Sequence, residues 1–294
     1  LDGGTLELRG VNVYSGSTSV SGGVLRVSNS GGLGSSSVTV SGNNTLELVG
    51  GVSVNNALVL NGIGVGVGVG ALRSVSGNNS WLGSIVVGSN ATYISSDAGV
   101  LDIVGVISGS HNSHGVRYGG LGTVKVSGVS TYTGVTEVSS GATLLLGNSN
   151  VLSSSSNVLF SGGTLSSDGK DVSVGSLSVS SVSELQLGSG SHDVRFSGSG
   201  TFSFTRLMIK GWQGVYGGSG GSSGTEGRVY GGSSGGVLSR EQLDQIQFMG
   251  SDNVTTYYAL QLNTGEVVPG LGRLSNPTGN SNVQVTSGAT VGGS

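Results

Sequence analysis

His111 and His114 stand three apart in SGSHNSH, a spacing at which two imidazoles can share one metal ion. A metal site also needs a third ligand and groups that orient the first two, and the sequence supplies neither nearby. His192 beside Asp193 is as isolated. The first acids close enough to suggest a carboxylate pair are Asp97 and Asp102. Polysaccharide cleavage would need such acids, or Arg and Lys, clustered on one cleft. Asp97 sits in SDAG and reads as a corner residue instead. Asp168 and Asp171 flank Lys170 in SDGKD, a solvated turn. Glu241 and Asp244 fall in a short helical stretch, where they are expected at the surface. The HExxH and P-loop patterns are missing, as are the Asp-rich nonapeptides of a calcium roll. No catalytic, cofactor-binding or metal residue is assigned, and no cofactor is expected.

One glycine-rich stretch also tests for a phosphate cradle. NGIGVGVGVGAL (61–72) alternates glycine with aliphatics. With Gly64 and Gly66 placed as the first two glycines of a dinucleotide loop, the third falls on Val69, and no helix follows. The stretch reads as a joint between turns of a repeat. Its alternation predicts a short extra strand and leaves open which valines point inward.

The elements that must hold these residues are strands. TLELRG, VLRVSN, VTVSG, TLELVG, ALVLNG, TVKVSG, SLSVSS and ELQLGSG each place an apolar residue at every second position. The 294 residues include 59 Gly, against an ordinary share of ~7%. Charged residues are 9% and aromatics 5%. With no cysteine, disulfides and thiolate chemistry are excluded. The net charge of −3 and the scattered basic residues argue against nucleic acid as a partner. No apolar run approaches the ~20 residues that span a bilayer. Leu1 opens directly in a strand pattern, which predicts a processed product or a fragment.

The strands repeat as a block. GTLELRGVNVYSGSTSVSGGVLRVSN (4–29) aligns with GTVKVSGVSTYTGVTEVSSGATLLLGN (122–148). Tyr14 falls on Tyr132, Thr18 on Thr136 and Leu25 on Leu144. The likeness continues from 31–48 to 150–167, so two related blocks cover about 4–48 and 122–167. Uneven strand spacing, few aromatics and this long-range repetition favour a parallel β-helix over an antiparallel sandwich or barrel. Inward Val, Leu and Ile would then form columns, with Gly and Asn at corners of positive φ.

These two segments resemble the autotransporter-associated β-strand repeat of bacterial surface proteins, with Asn12 or Ser130 at the repeat's Asn position and Val13 or Thr131 at the next. Residues 57–99 are also similar to a segment common in such proteins, and the likeness covers roughly 1–190. It implies an all-β chain: a right-handed parallel β-helix acting as an extracellular passenger or fibre, with no chemistry attached. The chain is expected to divide into β-helix turns (1–210), a Gly/Ser-rich loop (211–236) that Trp212, Tyr216 and Tyr230 could anchor, and a terminal capping unit (237–270). A tail (271–294) follows, as a linker or donor strand. Ser239 and Gln242 form a capping-box pair, which predicts the one short helix at about 240–245. IQF, YYALQLN and EVVPG read as three strands of the cap. The expected role is a surface stalk, adhesin or fibre subunit on a bacterial cell surface or outside the cell. Its expected partners are surface or glycan groups, and copies of itself joined head to tail through the coil ends and the tail. A polysaccharide lyase or glycosidase on the same scaffold is the alternative.

Overall fold

The computed structural model describes residues 3–66, 68–88, 92–109, 115–203, 205–217 and 221–270, with two short strands, Arg273–Leu274 and Val283–Gln284, beyond them. It is a parallel β-solenoid of about 9 turns with one short helix. Each turn visits up to three faces in a fixed order. Thr45–Val49 lies on the first face, Ser53–Val54 on the second, Leu58–Leu60 on the third, and Leu72–Ser76 is back on the first. Up to the capped end, the coil strands pair in parallel with strands of adjoining turns.

Alternation builds the core. The inward residue of the first face runs as one column through Leu6, Leu25, Leu46, Leu72, Ile94, Tyr118, Val138, Phe160, Val179 and Phe202. The second face stacks Leu101, Val124, Leu144, Leu165, Leu185, Ile209 and Phe248 in the same way. From Leu46 to Val179 the first column is fully or almost fully buried. Each such side chain contributes roughly 1.5–3 kcal/mol by leaving water. A slip of one residue would turn the whole column outward, so the register is strongly set.

Corners are held in two ways. Glycine takes most positive-φ positions, and the other residues there are Asn150, Asp168 and Asn253. The buried asparagines do something different from the predicted left-handed turns. Asn56 donates to the carbonyls of Ser36 and Gly34 in the previous turn. Asn79 accepts from the backbone N–H groups of Gly51 and Val52 and donates to Ser74 Oγ and the Ser76 carbonyl. Their amides satisfy backbone groups that a tight corner would otherwise bury unpaired.

The joint at 61–72 is a glycine-packed loop between turns, as expected, without the extra strand. No strand forms between Leu58–Leu60 and Leu72–Ser76 among the described residues. The loop closes on itself through the Gly70 N–H to the Ile63 carbonyl, 3.0 Å. Ile63 and Val65 are exposed while Gly64 and Gly70 are buried. Gly64 has φ +94, and a Cβ there would meet the Gly70 carbonyl oxygen at 2.4 Å. Gly64 and Gly70 face the coil because only bare backbone fits there, and Ile63 and Val65 are left outside.

At the far end the parallel stack stops. Helix Arg240–Asp244 starts at Ser239, which accepts from the Gln242 N–H while the Gln242 side chain accepts from the Ser239 N–H. Ile246–Met249 is the last parallel strand of the second face. Thr256–Gln261 then pairs antiparallel with it. Glu266–Pro269 pairs antiparallel with both Thr256–Gln261 and Arg228–Gly231. This hairpin joins the last strands of two faces and leaves neither as an open edge.

Candidate functional site

The acids are brought together with bases, turn upon turn. Outward positions on the first face run Glu7, Arg26, Glu47, Arg73 in strict register. Glu47 receives Arg26 at 2.7 Å on one side and Arg73 at 2.9 Å on the other. Arg73 then reaches Asp97 at 2.5 Å. The Glu47 side chain is only 4% exposed, so this ladder is packed as well as paired. Asp102 binds Lys125 at 3.0 Å and Ser127 Oγ at 2.7 Å, both one turn away. Arg117 with Glu137, Lys210 with Glu184 and Arg228 with Asp193 pair across turns in the same way.

This arrangement answers the carboxylate question. Asp97 and Asp102 do not face each other across a cleft; each is bound to a base on a neighbouring turn. Where two carboxylates share a neighbourhood, as Glu47 and Asp97 do, Arg73 sits between them. Glu47 and Asp97 accept from the Arg73 guanidinium, and Asp102 accepts from the Lys125 ammonium and the Ser127 hydroxyl. Asp171 accepts from the Asp193 N–H, and Asp193 holds Arg228 and Arg195. Asp168 and Lys170 form the predicted turn, closed by the Lys170 ammonium on the Asp168 carbonyl. Glu241 is exposed beside its capping serine. The enzyme alternative thus gains no support from the placement of its acids.

His192 is buried and not paired with Asp193. Its ring contacts Ser167 Oγ at 3.2 Å and the Gly190 carbonyl at 2.7 Å, within a corner. His111 and His114 lie outside the described residues. Among the described residues no group of three or more His, Asp or Glu could hold a metal ion.

Two shallow grooves mark the surface. One, of about 330 Å³, runs past Glu184, Arg206 and Lys210 near the capped end. The other, of about 530 Å³, is lined by hydroxyls such as Ser130, Thr131, Thr133 and Ser153 beside Val129 and Leu152. It offers hydrogen bonds but has no aromatic face on which a sugar ring could stack.

The Gly/Ser-rich segment is tied down where it is described. Trp212 is buried and meets Tyr216 and Phe248 edge-on at 5.0 and 5.9 Å. Buried Glu266 of the cap accepts from Ser223 Oγ and the Gly224 N–H. Arg228–Gly231 pairs with the first half of Asp193–Phe202, and Arg195 lies over the Tyr230 ring at 3.8 Å.

The bases of the ladder are what sequence reasoning missed. A signal for them was present: the third residues of TLEL, VLRV, TLEL and ALRS carry Glu, Arg, Glu and Arg. Alternating sign at a matched strand position is what neighbouring turns need in order to attract rather than repel.

The fold and its outward groups define a parallel β-solenoid repeat protein whose charges are spent on joining its own turns. Residues 1–27 and 119–146 match the passenger-associated-transport-repeat family model. The two matches and the parallel coil together support a repeat protein of the autotransporter-passenger type. Comparison with curated proteins and with solved structures returned no match. No helix among the described residues is long and apolar enough to cross a membrane.

Proposed function

We propose that the chain is an extracellular structural element: the shaft of a bacterial surface stalk that holds other parts of an adhesin or fibre away from the cell. The observation that carries this reading is the ladder of ion pairs between turns. It commits side chains that could bind or react to holding the shaft in register. Continuous aliphatic columns beneath it resist local opening, because each turn is covered by the turns before and after. The passenger-type repeats support a location outside the cell.

Two measurements test it. Trypsin digestion followed by mass spectrometry should leave the bonds after Arg26, Arg73 and Arg117 intact under conditions that digest an ordinary loop. Antibody to the coil should label intact cells of the source bacterium. Rapid cleavage inside the ladder would remove the shaft reading. Labelling that needs permeabilised cells would remove the surface location.

A further inference from the structure

Arg206 stands apart from the arginines of the ladder. Arg26, Arg73, Arg117, Arg195 and Arg228 each hold a carboxylate. Arg206 is exposed and holds none among the described residues. It lines the groove of about 330 Å³ near the capped end, at the small end of the ~300–1,000 Å³ range of ligand sites. The acid that lines the same groove, Glu184, is already satisfied. Lys210 Nζ donates to one of its oxygens and Gln186 Nε2 to the other. The groove therefore keeps one uncompensated positive charge, at Arg206.

Beside that charge the groove is apolar on a face where outward residues are otherwise polar. The chain has two methionines. Both, Met208 and Met249, take outward places on the second face, next to inward Leu207, Ile209 and Phe248, and both line this groove. Met208 follows Thr164 and Glu184 in one outward row, yet it is only 8% exposed. Exposed Val182 stands at the rim. Gly162 and Gly163 add no side chains, so that wall is bare backbone. Free hydroxyls are scarce, since Ser183 Oγ accepts from the Gly162 N–H and donates to the Ser181 carbonyl. A sugar would find few partners here, whereas an alkyl chain needs none and flexible thioethers adapt to it.

We infer that this groove binds a short fatty acid, with the carboxylate on the Arg206 guanidinium and the alkyl chain over Met208, Met249 and Val182. A guanidinium takes a carboxylate through two parallel N–H···O bonds. In the open, such a pair gains little, so the apolar strip beside it must supply the rest. Each methylene that leaves water adds up to about fourfold in affinity. The charge fixes which end of the ligand lies where, and the strip selects an alkyl chain over a bare anion.

The methionines make the test direct. With methionine labelled with carbon-13 at its methyl group, the intact chain gives two methyl signals, both from the groove. Hexanoate added at constant ionic strength should shift both and reach saturation. Butanoate should bind more weakly, by up to about fourfold per lost methylene. Acetate, sulfate and glucuronate should leave both signals in place over the same range. Arg206→Gln should weaken hexanoate roughly tenfold or more and leave binding of hexanol, which has the chain without the charge, unchanged. Val182→Asn should weaken both ligands. Lys170→Gln, in the turn closed on the Asp168 carbonyl and outside the groove, should alter neither. Arg206 and Val182 are exposed, so both variants should keep the parent's unfolding midpoint. Methyl signals that do not respond to hexanoate, or an affinity that Arg206→Gln leaves intact, would overturn the inference. So would acetate or sulfate binding as tightly as hexanoate, which would mean a site for charge alone, or glucuronate binding more tightly, which would mean a site for a sugar acid. None of these results bears on protease resistance of the shaft, so the two readings fail separately.

Discussion

Tyr14 and Tyr132 hold the same place in the same repeat, and each bonds a threonine four residues on, Thr18 at 2.9 Å and Thr136 at 2.7 Å. Yet Tyr14 is 37% exposed and Tyr132 1%. The repeat folds alike in both places, and the turns stacked on it decide what is buried. Stability in such a coil is a sum of neighbour terms. The two blocks also differ in position around the axis. Thr5–Leu8 stands on the first face, while its counterpart Thr123–Val126 stands on the second. Leu25 aligns with Leu144 in sequence, but in the stack its column leads to Val138. Between the blocks the chain makes a whole number of turns plus one face. The repeat is thus a unit of one turn that any face can start.

The sharpest way to break this comparison is to truncate both tyrosines. Tyr132→Ala should cost ~3–5 kcal/mol, in the range of buried aromatic truncations. Tyr14→Ala should cost less than ~1 kcal/mol, as surface changes do. Hydrogen exchange is the right readout, since loss of one turn opens its neighbours before the whole coil. Protection should fall in Thr123–Val126 and Thr136–Ser139 and stay unchanged in Thr45–Val49. Equal losses from the two variants would mean that burial by neighbouring turns does not set local stability.

The charge ladder gives the next largest contrast. Glu47 lies between two arginines in a nearly buried position, whereas Glu7 binds exposed Arg9 two residues along and is itself more exposed. Glu47→Leu leaves Arg26 without its carboxylate and Arg73 with Asp97 alone. The arginines keep about a third of their surface in water, so the loss should be ~1–2 kcal/mol, below that of a fully buried pair. Glu7→Gln should leave the urea midpoint unchanged. A loss at Glu47 that disappears in high salt would show the pair to be a surface one.

Much of the coil was legible because its rule is local. Period-two alternation in TLEL and TVKV is a property of four residues, and so is the capping box at Ser239 and Gln242. The partners of Asp97 and Asp102 were not legible in this way. Arg73 and Lys125 lie 24 and 23 residues off, and that distance depends on how many residues each turn spends on its corners. Turns here take different lengths, as the loop at 61–72 shows. The extra strand expected in that loop does not form, for a related reason. Alternation predicts two faces but not which is inward, and steric room favoured the glycines.

Alkaline pH separates the inner turns by a smaller effect. Burial raises the Tyr132 hydroxyl above the ordinary range for tyrosine, against a lowering by its bond to Thr136. Tyr118 is raised well above it, by burial first and its neighbour Tyr132 second. For an acid whose folded pKa is raised, the folded state keeps a proton that the unfolded chain releases. Stability should therefore be flat up to about pH 10 and fall above it. Tyr132→Phe, which loses the bond to Thr136, should lower stability at neutral pH, whereas Tyr118→Phe, which removes a buried hydroxyl without a hydrogen-bond partner, should not; both should flatten that alkaline limb.

The smallest expected effect lies in the capped end. Asp252 accepts from the N–H groups of Val254 and Thr255 and from Thr255 Oγ1, and these bonds lower its pKa to about 2. A depressed folded pKa means a contribution that is complete above the unfolded value of about 4. It is lost as pH falls through the folded one. Asp252→Asn should therefore differ from the parent at neutral pH and converge with it near pH 2. The difference should appear in exchange at the amides of Val254 and Thr255 and not at Thr5–Leu8, because the turn is exposed and the Asp252 bonds are local to it. A change that spread to Thr5–Leu8 would show that the two ends are coupled through the shaft, contrary to the neighbour-by-neighbour stability that the tyrosine pair implies.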